Sequence, residues 1–84
     1  MTRQQVRDVI IHLLHEIAPE AMVRDVLPDA DLCDALLLDS LDFLNFVVAI
    51  HQTLHVDVPQ ADYAQIATLG GCVAYLTRAH ERRT

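Results

Sequence analysis

The chain has 84 residues, of which 52% are hydrophobic and 21% charged, and six basic against twelve acidic residues give a formal net charge of −6. At this length one modest core is the upper limit, so a second domain or a deep active-site cleft is not expected. The basic residues are all arginines without a stripe that would follow a phosphate backbone, and no apolar run approaches the roughly 20 residues of a membrane span. We therefore predict a soluble, non-secreted, cytoplasmic protein with no nucleic-acid or membrane partner.

The first predicted element is an amphipathic helix that ends before Pro19. Its apolar residues recur at intervals of three and four, which is the spacing of one helix face: Val6, Val9, Ile10, Leu13, Leu14 and Ile17. Residues 18–39 lack a sustained period and contain two prolines and five aspartates. Because long structureless loops are uncommon in small domains, we expect a short helical turn within residues 31–38.

Three more helical segments follow in the second half of the chain. The pattern predicts a second long helix over residues 40–54, a short third helix over residues 61–66, and a last long helix over residues 69–80 with Thr68 as its N-cap. The fold class is therefore all-α. We predict a small four-helix bundle of three longer helices and one short helix, with a long loop after the first, and assign residues 1–84 to a single domain.

The negative charge is concentrated in the middle of the chain. Residues 20–62 contain nine acidic residues and a single basic residue, Arg24, whereas residues 63–84 are net positive. Two interpretations are open. The acidic segment is either a solvated loop or an electrostatic face that steers basic partners.

The second long helix has two apolar stripes. One stripe is the predicted core face and comprises Phe43, Phe46, Val47, Ile50 and Leu54. The other lies roughly 140° around the helix and comprises Leu41, Leu44 and Val48. Ordinary burial and a contact surface for a partner are both compatible with the second stripe, which Asp39, Asp42 and Asn45 would border as a polar rim.

Ser40 stands where the acidic loop becomes this helix. Considered alone, it is interpreted as the N-cap, without a capping box because Phe43 would then be the N3 residue. A catalytic serine is disfavoured, since His51 would lie roughly 16 Å away along the helix. A third reading is a modified serine, whose phosphodiester would be favoured by the free amides and dipole of a helix N-terminus.

These residues resemble those of acyl carrier proteins. The resemblance runs through Leu36, the segment Asp39-Ser40-Leu41-Asp42, the helix that follows, Val58-Pro59, and Ile66-Ala67-Thr68-Leu69 with Val73, Tyr75 and Leu76 in the closing helix. It covers most of the chain from residue 31 onward. The first helix and the long loop also have the family's layout.

The resemblance implies a non-catalytic carrier with a prosthetic group. Ser40 would receive 4′-phosphopantetheine from coenzyme A through a phosphopantetheinyl transferase, with Asp39 and Leu41 beside it. The thiol of this arm would hold acyl groups and present them to acyl-activating, acyltransferase or ketosynthase-type enzymes. Partner recognition would fall to Leu41, Asp42, Leu44, Asn45 and Val48, and we expect a monomer.

Two departures from the family pattern refine this expectation. Family members usually have a glycine at the position of Leu37, and acidic residues common on the second helix of fatty-acid carriers are replaced here by Asn45, His51 and Gln52. The loss of these acidic residues from the second helix favours a freestanding carrier in a specialised lipid or polyketide-type pathway. The alternatives are a peptidyl or aminoacyl carrier, and an unmodified helical module that binds a partner helix.

Other reactive side chains are expected to be structural. His51 and His55 are four residues apart, but the sequence offers no convincing third ligand, so no metal site is predicted. Cys33 and Cys72 lack the spacing of a zinc or redox motif and are predicted to be buried or idle thiols.

Overall fold

The computed structural model describes residues 1–83 and contains, in that part of the chain, four α-helices and two 3₁₀ segments. Thr84, the last residue of the predicted domain, lies outside the described residues. The three longer helices have 15 residues each: α1 (Arg3–Ile17), α3 (Ser40–Leu54) and α4 (Leu69–Arg83). The shorter elements are the 3₁₀ segment Val23–Asp25, α2 (Leu32–Leu36) and the 3₁₀ segment Gln60–Ile66.

The predicted all-α bundle is confirmed. The short third helix is the 3₁₀ segment Gln60–Ile66, and the helical turn expected within the long loop is α2. Helix α4 continues to Arg83, three residues beyond the predicted end. In residues 1–83, no helix combines the length and apolar character that crossing a membrane requires.

Helix α1 starts at a capping box and packs one face on the core. The Thr2 hydroxyl accepts a hydrogen bond from the Gln5 amide at 3.1 Å, and the Gln5 side chain accepts one from the Thr2 amide at 2.9 Å. These two bonds satisfy amides that a helix start otherwise leaves unpaired. The predicted apolar face is buried at its centre, where Val6, Ile10 and Leu14 have no exposed surface.

Helix α3 packs its predicted core face against the rest of the bundle. Phe46 and Ile50 are fully buried, and Phe43 is half-buried at the edge of the core. The Phe43 ring makes edge-to-face contacts with Phe46 and Tyr63, with ring centroids 6.4 and 5.4 Å apart. Such pairs add stability beyond the area they bury, so they fix α3 against the 3₁₀ segment Gln60–Ile66.

The long loop is fastened to the start of α4. The Leu32 amide donates to the Ala67 carbonyl at 2.8 Å, and the Gly70 amide donates to the Pro28 carbonyl at 2.8 Å. Thr68 caps α4 as predicted, because its hydroxyl accepts from the Gly71 amide at 3.1 Å. A side chain at Gly71 would bring its Cβ within 2.5 Å of the Gln65 carbonyl oxygen, so this close approach requires glycine.

A hydrogen bond also joins the 3₁₀ segment Gln60–Ile66 to α4. The Tyr75 hydroxyl donates to an Asp62 carboxylate oxygen at 2.7 Å. Burial raises the pKa of Tyr75, and the hydrogen bond and charge of Asp62 raise it further, while Arg82 opposes them. The long loop is therefore held at the start of α4, and the 3₁₀ segment Gln60–Ile66 is held at the middle of this helix.

Candidate site at the start of helix α3

Asp39, not Ser40, is the N-cap of α3. The Asp39 carboxylate accepts a hydrogen bond from the Asp42 amide at 2.8 Å, and the Asp42 carboxylate accepts one from the Asp39 amide at 3.3 Å. The expected Ser40 cap and the expected lack of a capping box are therefore both wrong. The reason is a shift of one residue: Asp39 is extended with φ −88° and ψ −177°, so Ser40 is the first helical residue and Asp42 becomes N3.

This arrangement leaves the Ser40 hydroxyl without a capping role. Ser40 is exposed, and Asp39 supplies the side-chain oxygen that the helix start needs. The amides of Ser40 and Leu41 belong to the first turn, where a helix offers no internal acceptor. An exposed hydroxyl therefore sits beside free amides at the positive end of a 15-residue helix, which favours an anionic substituent.

Two carboxylates flank the hydroxyl. Asp39 is exposed, whereas Asp42 is half-buried and is bonded back to the loop. Asp42 is thus less freely displayed than the sequence suggested for a residue of the rim. Asn45, one turn further along, is exposed.

The second apolar stripe of α3 lies in solvent. Leu41, Leu44 and Val48 are 65%, 47% and 52% exposed. Ordinary burial, one of the two interpretations of this stripe, is therefore excluded. Contiguous exposed apolar side chains with polar neighbours are typical of surfaces that bind a partner.

Leu37 is a feature of the site that residue spacing did not predict. Its backbone is left-handed, with φ 56° and ψ 44°, and its side chain is 89% exposed. The Leu38 amide donates to the Cys33 carbonyl at 2.9 Å, which ends α2 in a Schellman turn. Glycine is the usual residue at a left-handed position that ends a helix. The glycine that the family pattern has here was therefore the one signal in the sequence that pointed to the left-handed backbone of Leu37.

Two further apolar side chains, Met22 and Leu27, are 73% and 66% exposed on the long loop. Sequence reasoning missed them because a loop has no period from which exposure can be inferred. Together with Leu37 they line one surface cavity beside the long loop.

The histidine of α3 lies far from Ser40. His51 is eleven residues along α3, roughly 16 Å by helical rise, and its Nδ1 contacts an Asp57 carboxylate oxygen at 2.6 Å. On α1, His12 pairs with Glu16 at 2.7 Å. Within residues 1–83, no group of three or more histidine, cysteine or acidic side chains is arranged to hold a metal ion.

The two cysteines are free thiols in different surroundings. Cys72 is fully buried in α4, and burial raises its pKa to about 12. Cys33 is half-buried in α2, and its pKa is raised by burial and by the neighbouring carboxylates of Asp31, Asp34 and Asp42. A thiol is nucleophilic only as the thiolate, so neither cysteine is activated.

Comparison with known proteins points to one family. The family model described as the phosphopantetheine attachment site matches residues 4–76, from α1 into α4. An acyl carrier protein of Streptomyces coelicolor is 32% identical over 76 residues, which cover 90% of this chain and 83% of the relative. An acyl carrier protein of Campylobacter hominis is 25% identical over 80 residues and 95% of both chains.

A mitochondrial relative from Schizosaccharomyces pombe is 30% identical over 60 residues, which are 71% of this chain and 54% of the relative. The family match spans most of the chain and includes the whole of α3. Phosphopantetheine is the group that such domains carry, and acyl carrier proteins act as carriers for partner enzymes instead of as catalysts. The chain therefore belongs to the acyl carrier protein family, whose defining domain is a phosphopantetheine attachment site.

Proposed function

We propose that this protein is an acyl carrier that holds acyl groups as thioesters on a 4′-phosphopantetheine arm attached to Ser40. The observation that carries the assignment is the exposed Ser40 hydroxyl at the first position of α3, relieved of capping by Asp39. Ser40 is also the only serine in the sequence. Residues 1–84 would form one carrier domain, which the family match over residues 4–76 supports.

Attachment is a phosphoryl transfer in which Ser40 is the nucleophile. Its Oγ would bond to the phosphorus that bears pantetheine in coenzyme A, the pyrophosphate bond would break, and adenosine 3′,5′-bisphosphate would leave. The hydroxyl proton would pass to a base on the transferase, since His51, the histidine of α3, lies roughly 16 Å from Ser40 along the helix. The arm supplies the terminal thiol that forms the thioester.

The first turn of α3 suits the charge of the attached group. A phosphodiester at Ser40 would lie beside the amides of Ser40 and Leu41 and at the positive end of the helix dipole. The Asp39 and Asp42 carboxylates each accept a hydrogen bond in the capping box. This bonding holds them in place and reduces their competition for the two free amides.

Partner recognition would use the exposed side of α3. We define the recognition surface as the exposed stripe with its polar neighbours: Asp39, Leu41, Asp42, Leu44, Asn45 and Val48. An apolar centre with acidic edges fits an enzyme surface that offers apolar side chains within a basic rim. The expected partners are the phosphopantetheinyl transferase and acyl-activating, acyltransferase or ketosynthase-type enzymes.

A specialised lipid or polyketide-type pathway is supported by the part of α3 that follows its first turn. Asn45, His51 and Gln52 are exposed there and replace acidic residues of the fatty-acid carrier pattern. The acidic surface is therefore concentrated at the start of α3 and in the loop before it. A partner enzyme would have to place its basic residues to match.

Intact mass spectrometry tests the attachment site. Incubation with coenzyme A and a promiscuous phosphopantetheinyl transferase should add the mass of one phosphopantetheine to the protein. Ser40→Ala should gain nothing, whereas Thr53→Ala, which removes an exposed hydroxyl from the other end of α3, should be loaded like the wild type. An unloaded wild-type protein, or a loaded Ser40→Ala variant, would show the assignment to be wrong.

A further inference from the structure

Leu37 combines an exposed side chain with an unfavourable backbone conformation. Its φ of 56° and ψ of 44° lie in the left-handed region, and the residue is 89% exposed. An exposed leucine alone needs no explanation, because much of any protein surface is apolar. A leucine with a left-handed backbone is uncommon, and burial does not offset its cost here. The combination points to a role other than stabilising the folded chain.

The backbone around Leu37 is fixed by its two neighbours. Leu36 and Leu38 are both buried in the core, and the residue between them is turned towards solvent. The Leu38 amide also donates to the Cys33 carbonyl at 2.9 Å and closes the turn that ends α2. The Leu37 side chain is thus held in solvent by an ordered turn. A contact residue that is ordered before binding loses little conformational entropy when a partner covers it.

Leu37 also lies between two hollows in the protein surface and lines both of them. One hollow, of about 460 Å³, is lined by Leu38 and Asp42 as well. The other, of about 490 Å³, extends along the long loop to Leu27. The Leu37 side chain is therefore accessible from two sides. Because Ser40 lies between Leu38 and Asp42 in the chain, the first hollow adjoins the attachment site.

The position of Leu37 relative to Ser40 selects one class of partner. Three residues of chain span at most about 11 Å, so Leu37 lies within this distance of Ser40. An enzyme that forms a bond to the Ser40 Oγ must place its active site on this part of the surface. Enzymes that act on the thioester work at the far end of the arm and have no such constraint. Among the expected partners, the transferase is therefore the one that must accommodate Leu37.

Resting on the proposed function, we propose that Leu37 determines which phosphopantetheinyl transferase loads this carrier, because its side chain inserts into an apolar hollow of the matched enzyme. The contact removes an exposed apolar side chain from water and so favours the complex. A transferase whose surface is shaped to a glycine at this position would clash with the leucine. Leu37 thus combines attraction of one enzyme with exclusion of others, and interfaces gain specificity in both ways.

Loading kinetics with two enzymes test this role: the transferase of the organism that makes this protein, here called the native transferase, and a promiscuous one. Leu37→Gly should lower kcat/KM for the native transferase about tenfold, mainly through KM, because the loss of an apolar contact weakens binding of the carrier. Leu37→Met keeps a long apolar side chain and should stay within about threefold of the wild type. The promiscuous transferase should load all three forms at similar rates. Equal losses with both enzymes would mean that the substitution disturbs Ser40 itself and would overturn the proposal.

Leu27→Ala is the matched control for the loss of an exposed leucine. Leu27 is 66% exposed on the same long loop, but it lines only the hollow that does not reach Asp42. Loading of this variant by the native transferase should therefore match that of the wild type. A loss as large as that of Leu37→Gly would assign the effect to the apolar surface of the loop in general and would contradict a specific role of Leu37.

Equilibrium binding gives a readout that does not depend on catalysis. The native transferase is titrated with Ser40→Ala, which cannot be loaded, and with the same variant carrying Leu37→Gly. Isothermal titration calorimetry should show about tenfold weaker binding of the double variant, and helical circular dichroism should confirm that it is folded. Equal dissociation constants, or an unchanged kcat/KM of Leu37→Gly with the native transferase, would overturn the proposal. A wild-type protein that neither enzyme loads would instead overturn the proposed function.

Discussion

Leu37 shows how one residue can oppose the local preference of its backbone. A left-handed conformation costs an L-residue roughly 1–2 kcal/mol, and a glycine would avoid this cost. Leu37 nevertheless adopts φ 56°, and its side chain offsets little of the cost by burial because 89% of it is exposed. Strain that persists without a packing gain is typical of functional positions.

Leu37→Gly should therefore stabilise the protein. We expect the free energy of unfolding to rise by about 1 kcal/mol, since glycine relieves the left-handed strain. Urea titration followed by circular dichroism measures the change. Leu37→Ala is the matched control: it removes the same exposed side chain but keeps Cβ, so it should give no comparable gain. Equal stabilisation by both variants would contradict the strain argument.

The buried thiol of Cys72 should make the stability of the folded protein depend on pH in the alkaline range. Burial raises its folded-state pKa from 9.0 to about 12, whereas the unfolded chain exposes the thiol to water and restores its ordinary value. The unfolded state therefore ionises first as the pH rises, and ionisation favours unfolding. The contribution of the Cys72 thiol to the free energy of unfolding is complete below pH 9 and is lost progressively as the pH rises to 12.

Between pH 7 and pH 10 this residue should lower the free energy of unfolding by about 1.4 kcal/mol. Urea titrations at both pH values, under reducing conditions, measure the loss. Cys72→Ala should shrink the pH-dependent difference by that amount, although its cavity lowers stability at either pH. Cys33→Ala, which removes a half-buried thiol, should shrink the difference less. A larger reduction of the pH-dependent difference in Cys33→Ala than in Cys72→Ala would be inconsistent with burial as the cause.

At the scale of elements, the sequence pattern predicted where the long helices lie but not the conformation of the segments that join them. Helix α3 begins and ends where its two apolar stripes predict. A period of 3.6 residues separates the stripes around the helix, so that one is buried and the other is exposed. The cap was misassigned by one residue, since Asp39 and Ser40 both have side-chain oxygens that favour this position.

The ordered conformation of the long loop could not be predicted, because it depends on residues that are distant in the sequence. Its hydrogen bonds join Leu32 to Ala67 and Gly70 to Pro28, between segments more than 30 positions apart. The exposure of Met22 and Leu27 likewise follows from where the loop lies on the bundle. Ser40 could be proposed as the attachment site from its sequence context, whereas the conformation of the loop before it follows from packing alone.

The exposed stripe of α3 should govern partner transfer without supporting the fold. Leu44→Glu and Val48→Glu place a charge on side chains that are 47% and 52% exposed. We expect kcat/KM for acyl transfer by a partner enzyme to fall about tenfold, the effect of losing roughly 1.4 kcal/mol of transition-state binding. A ketosynthase or acyl-activating enzyme that accepts the wild-type carrier provides the assay.

Thr53→Glu is the matched control, because it adds the same charge to an exposed position of α3 outside the stripe. Its transfer rate should stay within twofold of the wild type. Helical circular dichroism should be unchanged in all three variants. Loss of helix in Leu44→Glu and Val48→Glu would assign these residues to the core, and unchanged transfer would remove the stripe from partner recognition.

Across the whole molecule, charge is divided between two regions. Residues 20–62 carry nine of the twelve acidic residues, including Asp39 and Asp42 around Ser40, while residues 63–84 are net positive. Helix α4 contains three of the six arginines, so the negative charge is concentrated in the segments that precede it. Such a distribution orients an approaching basic partner towards the acidic side before contact.

Loading of Ser40 by a basic transferase should consequently depend on salt. Raising the NaCl concentration from 20 to 300 mM should lower kcat/KM about fivefold through KM, since a shorter Debye length weakens steering without altering the reacting groups. Asp29→Asn combined with Asp34→Asn should lower the rate at low salt and flatten its salt dependence. Asp8→Asn, in the charge-balanced helix α1, should do neither. A salt-independent KM would show that electrostatic steering does not govern the encounter, and an equal effect of Asp8→Asn would show that net charge, and not its placement around the site, determines it.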